Sequence, residues 1–432
     1  MNRIKKLLGN ILHSPSLPLY IFIILVLWAH LFMSDLFSDD IWFYNVLEGK
    51  DNMMGAWREF LEFRYENWSS RTAIEGALIL LVRVMPLWKI IDSVAIIYIV
   101  FEISRLINPE KSLVKNIIIV LLVSAYPVWV LYEVGFVATS INYIIPFACL
   151  FPTLSIIYRR AQGRGVPIFE YFLAIPFLAF ACFSEIVCAI LLVVSLGAIT
   201  LYLIEKKKIP YFEIFALIFC ILLLVYHLSC PGNDFRYTQE TNNWLPEHSS
   251  LNIIEKALLG FNAMTSTMFF YDKNLLVCLF CITISVATFL KSNKWYLRAI
   301  SLVGTVFSLT FGLLYPILGK IPFISRIGDA MMVALHSPSP TLGSIAMMLL
   351  AIVLLATLLV CMLFIIDKRR DYFMIFFALA AGAISKIALG LSPTVWTGAG
   401  RASTYLYLAI SIATGMVIYQ VYLIVKNEIK KA

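Results

Sequence analysis

Charged side chains are scarce in this chain. Only 14% of its 432 residues are Asp, Glu, Lys or Arg, whereas 61% are hydrophobic and the mean hydropathy is +0.87. Soluble globular proteins contain about 25% charged residues. The composition therefore excludes a soluble enzyme. It predicts an all-α polytopic membrane protein in which residues 1–432 form a single integral membrane domain.

Several kinds of binding site are missing from the sequence. The five histidines are scattered without the spacing of metal ligands, which argues against a metal site built from histidine. No Walker loop, G-x-G-x-x-G motif or soluble segment large enough for a nucleotide is present. Most of the eight cysteines lie in apolar runs and imply no disulfide framework. The substrate is therefore not expected to be activated by a nucleotide, and no cofactor is predicted with certainty.

Long apolar runs dominate what is present. Because a helix needs about 20 apolar residues to cross a bilayer, the sequence predicts about 12 transmembrane helices, within a range of about 10 to 13. The runs are 17–33, 72–107, 117–131, 143–158, 168–183, 186–204, 211–229, 275–290, 299–316, 342–366, 372–390 and 403–425. No small-residue cleavage site follows 17–33, so this run is interpreted as an uncleaved first span.

Basic residues occur in clusters of three between these runs. The clusters are Arg3/Lys5/Lys6, Arg105/Lys111/Lys115, Arg159/Arg160/Arg164, Lys206/Lys207/Lys208, Lys291/Lys294/Arg298, Lys368/Arg369/Arg370 and Lys426/Lys430/Lys431. Positive charge marks cytoplasmic loops, so both termini are predicted to be cytoplasmic. All seven clusters lie on the same side of the membrane only if 72–85 is an interfacial or re-entrant helix and the membrane-crossing helix begins after Pro86. The net charge of +8 is then a topogenic signal, and no nucleic-acid partner is expected.

The opposite face holds most of the unusual polar residues. Its two largest segments are a first external loop, 34–71, and a second, 230–274. In the first loop acids outnumber bases, and Trp57–Tyr65 alternates apolar and charged positions as an interfacial helix does. The first loop is long enough for two short amphipathic helices.

Two adjacent acids, Asp39 and Asp40, follow the first apolar run in the stretch S-D-D-I-W-F-Y-N. Adjacent carboxylates repel each other unless a cation or a hydrogen-bond donor shares the site. A divalent cation at Asp39/Asp40 is one possibility, and an arginine such as Arg71 is another. The alternative interpretation of the pair is a solvated loop.

Further polar residues recur at the outer ends of the predicted spans. Guanidinium groups bind phosphate in bidentate geometry, so Arg401, Arg236 and Arg71 are candidates for binding an anionic group; the alternative is a lipid-headgroup anchor. Trp42, Trp68 and Trp396 are suited to stacking on sugar rings, although an aromatic belt places tryptophan similarly. The remaining candidate substrate-binding residues are Glu133, Asn142, Glu185 and Asn233.

These motifs together resemble the membrane glycosyltransferases of the GT-C fold, which use lipid-phosphate sugars as donors. The Asp39–Asp40 pair is similar to the acidic motif of that superfamily's first external loop. N-W-S-S-R, Asn142-Tyr143, P-G-N-D-F-R and the arginine of G-A-G-R are similar to patterns in the bacterial branch that includes the serotype-converting O-antigen glucosyltransferases. The resemblance implies a GT-C-like fold of the compact, all-membrane kind, because no large soluble C-terminal domain is present.

The resemblance also implies an activity. A polyprenyl-phosphate sugar, most simply glucose, would be transferred with inversion to a polysaccharide acceptor at the periplasmic face of the bacterial inner membrane. Asp39 or Asp40 would act as the general base, and Arg401 with Arg236 would stabilise the leaving phosphate. Two alternatives remain open. One is an O-antigen polymerase or ligase, and the other is a lipid-linked sugar flippase or transporter.

Overall fold

The computed structural model describes residues 14–108, 110–125, 134–205, 209–270, 274–397 and 400–431. These residues form helices joined by short loops, and none of them lies in a β-strand. Contacts divide the chain into two compact units. The described part of the first unit comprises 14–108, 110–123, 134–205 and 209–236, and that of the second comprises 124–125, 237–270, 274–397 and 400–431.

Among the described residues, seven helices are long and apolar enough to cross a membrane, which confirms a polytopic helical architecture. They are Phe136–Ala161, Glu185–Ile204, Tyr211–Leu228, Trp295–Leu313, Leu342–Ile365, Arg370–Leu391 and Arg401–Ile429. The number rises to eight if Ile253–Phe270 and Leu275–Lys291 form one bent span. The described part of the chain also contains four shorter apolar helices, of 10 to 17 residues, so about 12 spans and a GT-C fold remain predictions.

The first unit contains the polar segment that follows the first apolar run. Its helices are α1 Leu17–Leu31, α2 Asp39–Asn45, α3 Met53–Asn67, α4 Thr72–Leu81, α5 Met85–Ile107, α6 Leu113–Ser124, α7 Phe136–Ala161, α8 Ile168–Ala181, α9 Glu185–Ile204, α10 Tyr211–Leu228 and the start of α11, Gly232–Trp244. Helix α7 packs on α5, α8 and α9, and it includes a π-helical turn at Ser140–Ile144. The helical structure is interrupted between α4 and α5, just before Pro86. The sequence predicts this interruption, with a separate short helix over 72–85.

The second unit contains the remaining helices. They are α12 Ile253–Thr265, α13 Leu275–Lys291, α14 Trp295–Phe307, α15 Tyr315–Leu318, α16 Pro322–Leu335, α17 Leu342–Ile365, α18 Arg369–Ile387 and α19 Thr404–Lys431. Helix α13 packs on α14, α17 and α19, and α18 packs on α12 and α19. Alanines and glycines on α18 and α19 allow close approach, and a Cβ on Gly382 would lie 2.9 Å from the Cα of Leu406.

Candidate active site

Asp39 and Asp40 begin helix α2 and occupy different environments. The Asp39 side chain is exposed, and its backbone N–H donates to the carbonyl of Val134 at 3.0 Å. The Asp40 side chain is fully buried; Oδ1 accepts the N–H of Ala138 at 2.8 Å and Oδ2 accepts that of Val137 at 3.3 Å. A carboxylate in this position caps the N-terminus of α7 and meets the positive end of its dipole. The cap fixes α2 against α7 and leaves Asp39 at the surface.

A glycine makes this contact possible. Gly135 has φ 122° and ψ 146°, close to a backbone region that only glycine adopts readily. A Cβ at this position would lie 2.5 Å from Oδ1 of Asp40. The chain therefore needs glycine at position 135 both for its backbone conformation and for the space that the Asp40 carboxylate occupies.

The repulsion within the acid pair is relieved by the backbone. Burial and, to a smaller extent, the nearby charge of Asp39 raise the pKa of Asp40, the N–H groups of the first α7 turn lower it, and the net result is a pKa of about 6. A hydrogen-bond donor was one of the alternatives that the sequence left open beside a cation and Arg71, and backbone N–H groups supply it at Asp40. Both Asp40 oxygens already accept hydrogen bonds, and the described residues contain no group of three or more His, Cys, Asp or Glu suited to a metal. A divalent cation at Asp39/Asp40 remains a prediction.

A second polar cluster lies at the start of α4 and α9. Arg71 Nε donates to Glu185 Oε2 at 2.7 Å, and both side chains are partly exposed. Arg236 lies within electrostatic range of Glu185, with its guanidinium 6.0 Å from the ring centroid of Trp68. The trio consists of two guanidinium groups and one carboxylate. Guanidinium groups in a partly exposed site are suited to binding an anionic ligand.

The turn that carries Arg236 is held by close packing and by a buried histidine. A Cβ on Gly232 would lie 2.2 Å from the backbone N of Trp68, so only glycine allows this approach. Asn233 Nδ2 donates to the carbonyl of His227 at 2.6 Å, and Ser70 Oγ lies 2.7 Å from His227 Nδ1. The segments N-W-S-S-R and P-G-N-D-F-R, which are far apart in sequence, are therefore packed against each other.

Two of the predicted sugar-stacking residues surround another arginine. Arg64 forms a two-point ion pair with Glu75, at 2.5 Å and 2.7 Å. Its guanidinium lies 5.5 Å from the ring centroid of Trp42 and 5.4 Å from that of Trp68. Both rings thus have a cation–π partner, and the Trp42 side chain remains 50% exposed. The ion pair joins α3 to α4 and holds the first polar segment in place.

The acid pair and the arginine cluster meet the same end of α7. Asp40 binds the N–H of Ala138, and Tyr143, five residues later, lies within electrostatic range of Arg71. With a rise of about 1.5 Å per residue, these two points on α7 are separated by about 8 Å along the axis. Asn142 lies between them and donates its amide to the carbonyl of Ala138 at 2.8 Å. The first two turns of α7 therefore connect both clusters.

In the second unit, Trp396 belongs to a packed loop. Its ring lies 4.6 Å from that of His336, and it contacts the buried cluster that includes Leu245 and Val395. The turn Pro246–Ser250 is bonded to the start of this loop, since Nε2 of the buried His248 donates to the carbonyl of Gly390 at 3.0 Å. Trp396 is therefore half-buried by packing, and only part of its surface is open to a ligand.

Arg401 also lies in the second unit, just before α19. Its side chain is half-buried, and its guanidinium forms no ion pair or hydrogen bond with any residue that the structure describes. The other half-buried arginines that were singled out lie beside acids, as Arg71 does with Glu185. The unoccupied donors of Arg401 are compatible with the predicted binding of an anion. Glu133, which the sequence also singled out, lies outside the described residues.

Sequence reasoning missed one buried group in the first unit. His30, Asp92 and Ser140 lie on α1, α5 and α7, and their side chains are hydrogen-bonded to one another away from solvent. The signal was available, because Asp92 interrupts an apolar helix and ionisable residues within such helices are usually functional.

Comparisons of the chain with protein-family models, curated proteins and solved structures found no match.

Proposed function

We propose that this protein is a membrane glycosyltransferase that moves a sugar from a polyprenyl-phosphate donor to a hydroxyl of a lipid-linked polysaccharide. The observation that supports this most is the shared end of α7. Asp39, an exposed carboxylate, adjoins Asp40, which binds Ala138 of α7, and about one and a half turns further along α7 Tyr143 lies within electrostatic range of Arg71, the partner of Glu185. Transfer from a lipid phosphate requires both elements, a base for the acceptor and positive charge for the leaving group.

The two acids differ in what they can do. Asp39 is exposed and accessible to an acceptor hydroxyl, whereas Asp40 is fully buried with both oxygens bonded to the backbone. We assign Asp39 as the general base and Asp40 as the residue that positions it. The sequence alone left this choice open.

The reaction follows from these roles. The acceptor oxygen attacks the anomeric carbon of the donor while its proton passes to the Asp39 carboxylate. The bond from the anomeric carbon to the phosphate oxygen breaks, and the polyprenyl phosphate leaves with the electron pair. A single displacement of this kind inverts the anomeric centre and needs no second carboxylate as nucleophile. Arg236 and Arg71 stabilise the negative charge that develops on the phosphate.

Arg401 is proposed as a further ligand of the donor phosphate, as the sequence predicts, and its guanidinium forms no hydrogen bond or ion pair with any residue that the structure describes. Glucose as the sugar, an O-antigen as the acceptor and the periplasmic face of a bacterial inner membrane follow from the resemblance to O-antigen glucosyltransferases. The basic clusters support this orientation, with the acid-rich segment 34–71 outside and both termini in the cytoplasm.

The test is transfer from a purified polyprenyl-phosphate sugar to polysaccharide in detergent. Asp39→Asn keeps the size of the side chain but cannot accept the proton, so transfer should fall by about 100-fold or more, the range of general base catalysis. Asp35→Asn is the matched control, because Asp35 is another exposed acid of the same segment. Equal rates for wild type and Asp39→Asn would remove Asp39 from the mechanism.

One observation favours a second candidate, a lipid-linked sugar flippase. The buried His30 and Asp92 are ionisable groups within apolar helices, as proton-coupled carriers have. A flippase would move labelled donor across vesicle membranes and form no glycosidic bond. Vesicles containing the purified protein therefore separate the two functions: movement of the donor with no glycosylated product would reject the transferase.

A further inference from the structure

A chain of three polar side chains crosses the interior of the first unit. His30 lies in the last turn of α1, Asp92 near the start of α5 and Ser140 in the π-helical turn of α7. Their exposed fractions are 4%, 3% and 3%. His30 Nε2 lies 2.7 Å from Asp92 Oδ2, and the Ser140 hydroxyl donates to Asp92 Oδ1.

The hydrogen-bond partners of His30 and Asp92 determine how many protons this row of three side chains holds. His30 Nδ1 lies 2.8 Å from the carbonyl oxygen of Val26, which can only accept, so Nδ1 carries a hydrogen. A neutral imidazole would then present a lone pair at Nε2 to an oxygen of Asp92. Two lone pairs do not face each other at 2.7 Å, so one further proton is shared between His30 and Asp92. With that proton the pair is neutral overall, which suits its burial.

Few other charges act on the pair. On α5, Lys89 lies within electrostatic range of His30 and donates to the carbonyl of Leu31 at 3.5 Å. Helix α7 faces the pair with the uncharged Ser140, and Tyr143 of the same turn is within range of Arg71. Helix α1 carries no charged residue besides His30. Loss of the shared proton would therefore leave a buried negative charge on Asp92, which Lys89 of the same helix offsets only from a distance.

The hydrogen-bond chain of His30, Asp92 and Ser140 ends at the part of α7 that carries the proposed site. Ser140 lies two residues after Ala138, which binds Asp40, and three residues before Tyr143. We infer that His30 and Asp92 are positioning residues of the proposed reaction, holding the first turns of α7, and through them Asp39, by a hydrogen-bond chain that depends on one shared proton. This inference rests on the proposed function.

Substitutions at Asp92 distinguish the effect of the shared proton from the effect of the hydrogen bonds that hold α7. In Asp92→Asn the amide oxygen can still accept the Ser140 hydroxyl, and the amide N–H can donate to Nε2 of a neutral His30. The chain is then complete without a titrating proton. In Asp92→Leu neither hydrogen bond forms, so this variant reports the loss of the chain at every pH.

The experiment measures transfer and thermal unfolding in detergent from pH 6 to pH 10 for wild type, Asp92→Asn and Asp92→Leu. Above the midpoint for loss of the shared proton, wild-type transfer should fall by about tenfold per pH unit, together with its Tm. Asp92→Asn should keep near wild-type transfer at pH 7 and lose this alkaline decline in both measurements. Asp92→Leu should transfer poorly at all pH values.

Other outcomes overturn the inference. An alkaline decline in Asp92→Asn equal to that of wild type would show that the proton is not shared at this pair. A folded Asp92→Asn that is inactive at every pH would reject a positioning role, because such a result indicates that the proton itself must move. If wild type transfers no sugar, the proposed function fails and the positioning role with it, while the Tm comparison still decides whether the pair shares a proton.

Discussion

Gly135→Ala is the sharpest test of how the acid pair is held. The substitution adds one methyl group at a position with φ 122° and ψ 146°, 2.5 Å from Oδ1 of the buried Asp40. Either the backbone must leave its conformation or the Asp40 carboxylate must move. Both changes break the cap of α7 and shift α2, which carries Asp39.

The expected loss of stability has two parts. A non-glycine residue in this backbone region costs about 1 to 3 kcal/mol. Overpacking against a buried side chain adds about 1 to 3 kcal/mol. Gly49→Ala is the matched control in the same polar segment, because Gly49 also has a positive φ, +67°, but nothing lies within 4 Å of its added Cβ. That variant should cost only about 1 to 2 kcal/mol, the strain of a left-handed residue.

The assay combines thermal unfolding in detergent with transfer from the lipid-phosphate donor. Gly135→Ala should have a lower Tm than Gly49→Ala, and its transfer rate should fall by about 100-fold, because a shift of about 1 Å in a reacting group has this effect. Combining Gly135→Ala with Asp40→Ala removes the clash, so the two stability losses should be less than additive. Equal Tm values for Gly135→Ala and Gly49→Ala, or full additivity, would refute the described contact.

Three further predictions concern other residues. Arg401→Lys should impair transfer nearly as much as Arg401→Ala, by about 2 to 4 kcal/mol in transition-state stabilisation, since a point charge cannot replace a bidentate fork; full activity of Arg401→Ala would leave it a headgroup anchor. Because burial raises the pKa of Asp40 to about 6 from 3.8, ionisation opposes folding, and the free energy of unfolding should fall as pH rises from about 4 through about 6. Asp40→Asn should lack this dependence, and an unchanged pH profile would contradict it. Reporters fused after Arg160, Lys208 and Arg370 should indicate cytoplasm and those near Asp51, Asn243 and Gly398 the outside; a cytoplasmic result near Asn243 would reverse the active face.

Local patterns predicted much of the helical framework. The break before Pro86 and the helix over Trp57–Tyr65 both appear in the structure, because proline and the alternation of apolar and charged residues act over a few residues. The number of spans was harder to predict. Composition does not reveal that α1 and α8 end after 15 and 14 residues, since their apolar runs continue beyond the helices.

The sequence predicted which residues belong to the candidate site better than it predicted which of them contact each other. Arg71, Glu185 and Arg236 were singled out, but the sequence does not show that Arg71 pairs with Glu185 and not with the acid pair. Asp39 and Asp40 are adjacent in sequence, and only the position of α7 makes one buried and the other exposed. The chain of His30, Asp92 and Ser140 joins three distant helices, so no local pattern contains it.

The short helices of the first unit have a consequence for the lipid around them. Helix α1 has 15 residues and α8 has 14, so at about 1.5 Å per residue each extends for only about 21 to 23 Å. The hydrocarbon layer of a bilayer is about 30 Å thick. If α1 and α8 cross the bilayer, as the sequence predicts, a surface of this height is hydrophobically mismatched, and the lipid beside it must thin or the flanking residues must snorkel. A locally compressed leaflet would lower the headgroup plane toward the polar end of the unit, so that the proposed long-chain phosphate donor would present its sugar there without leaving the membrane.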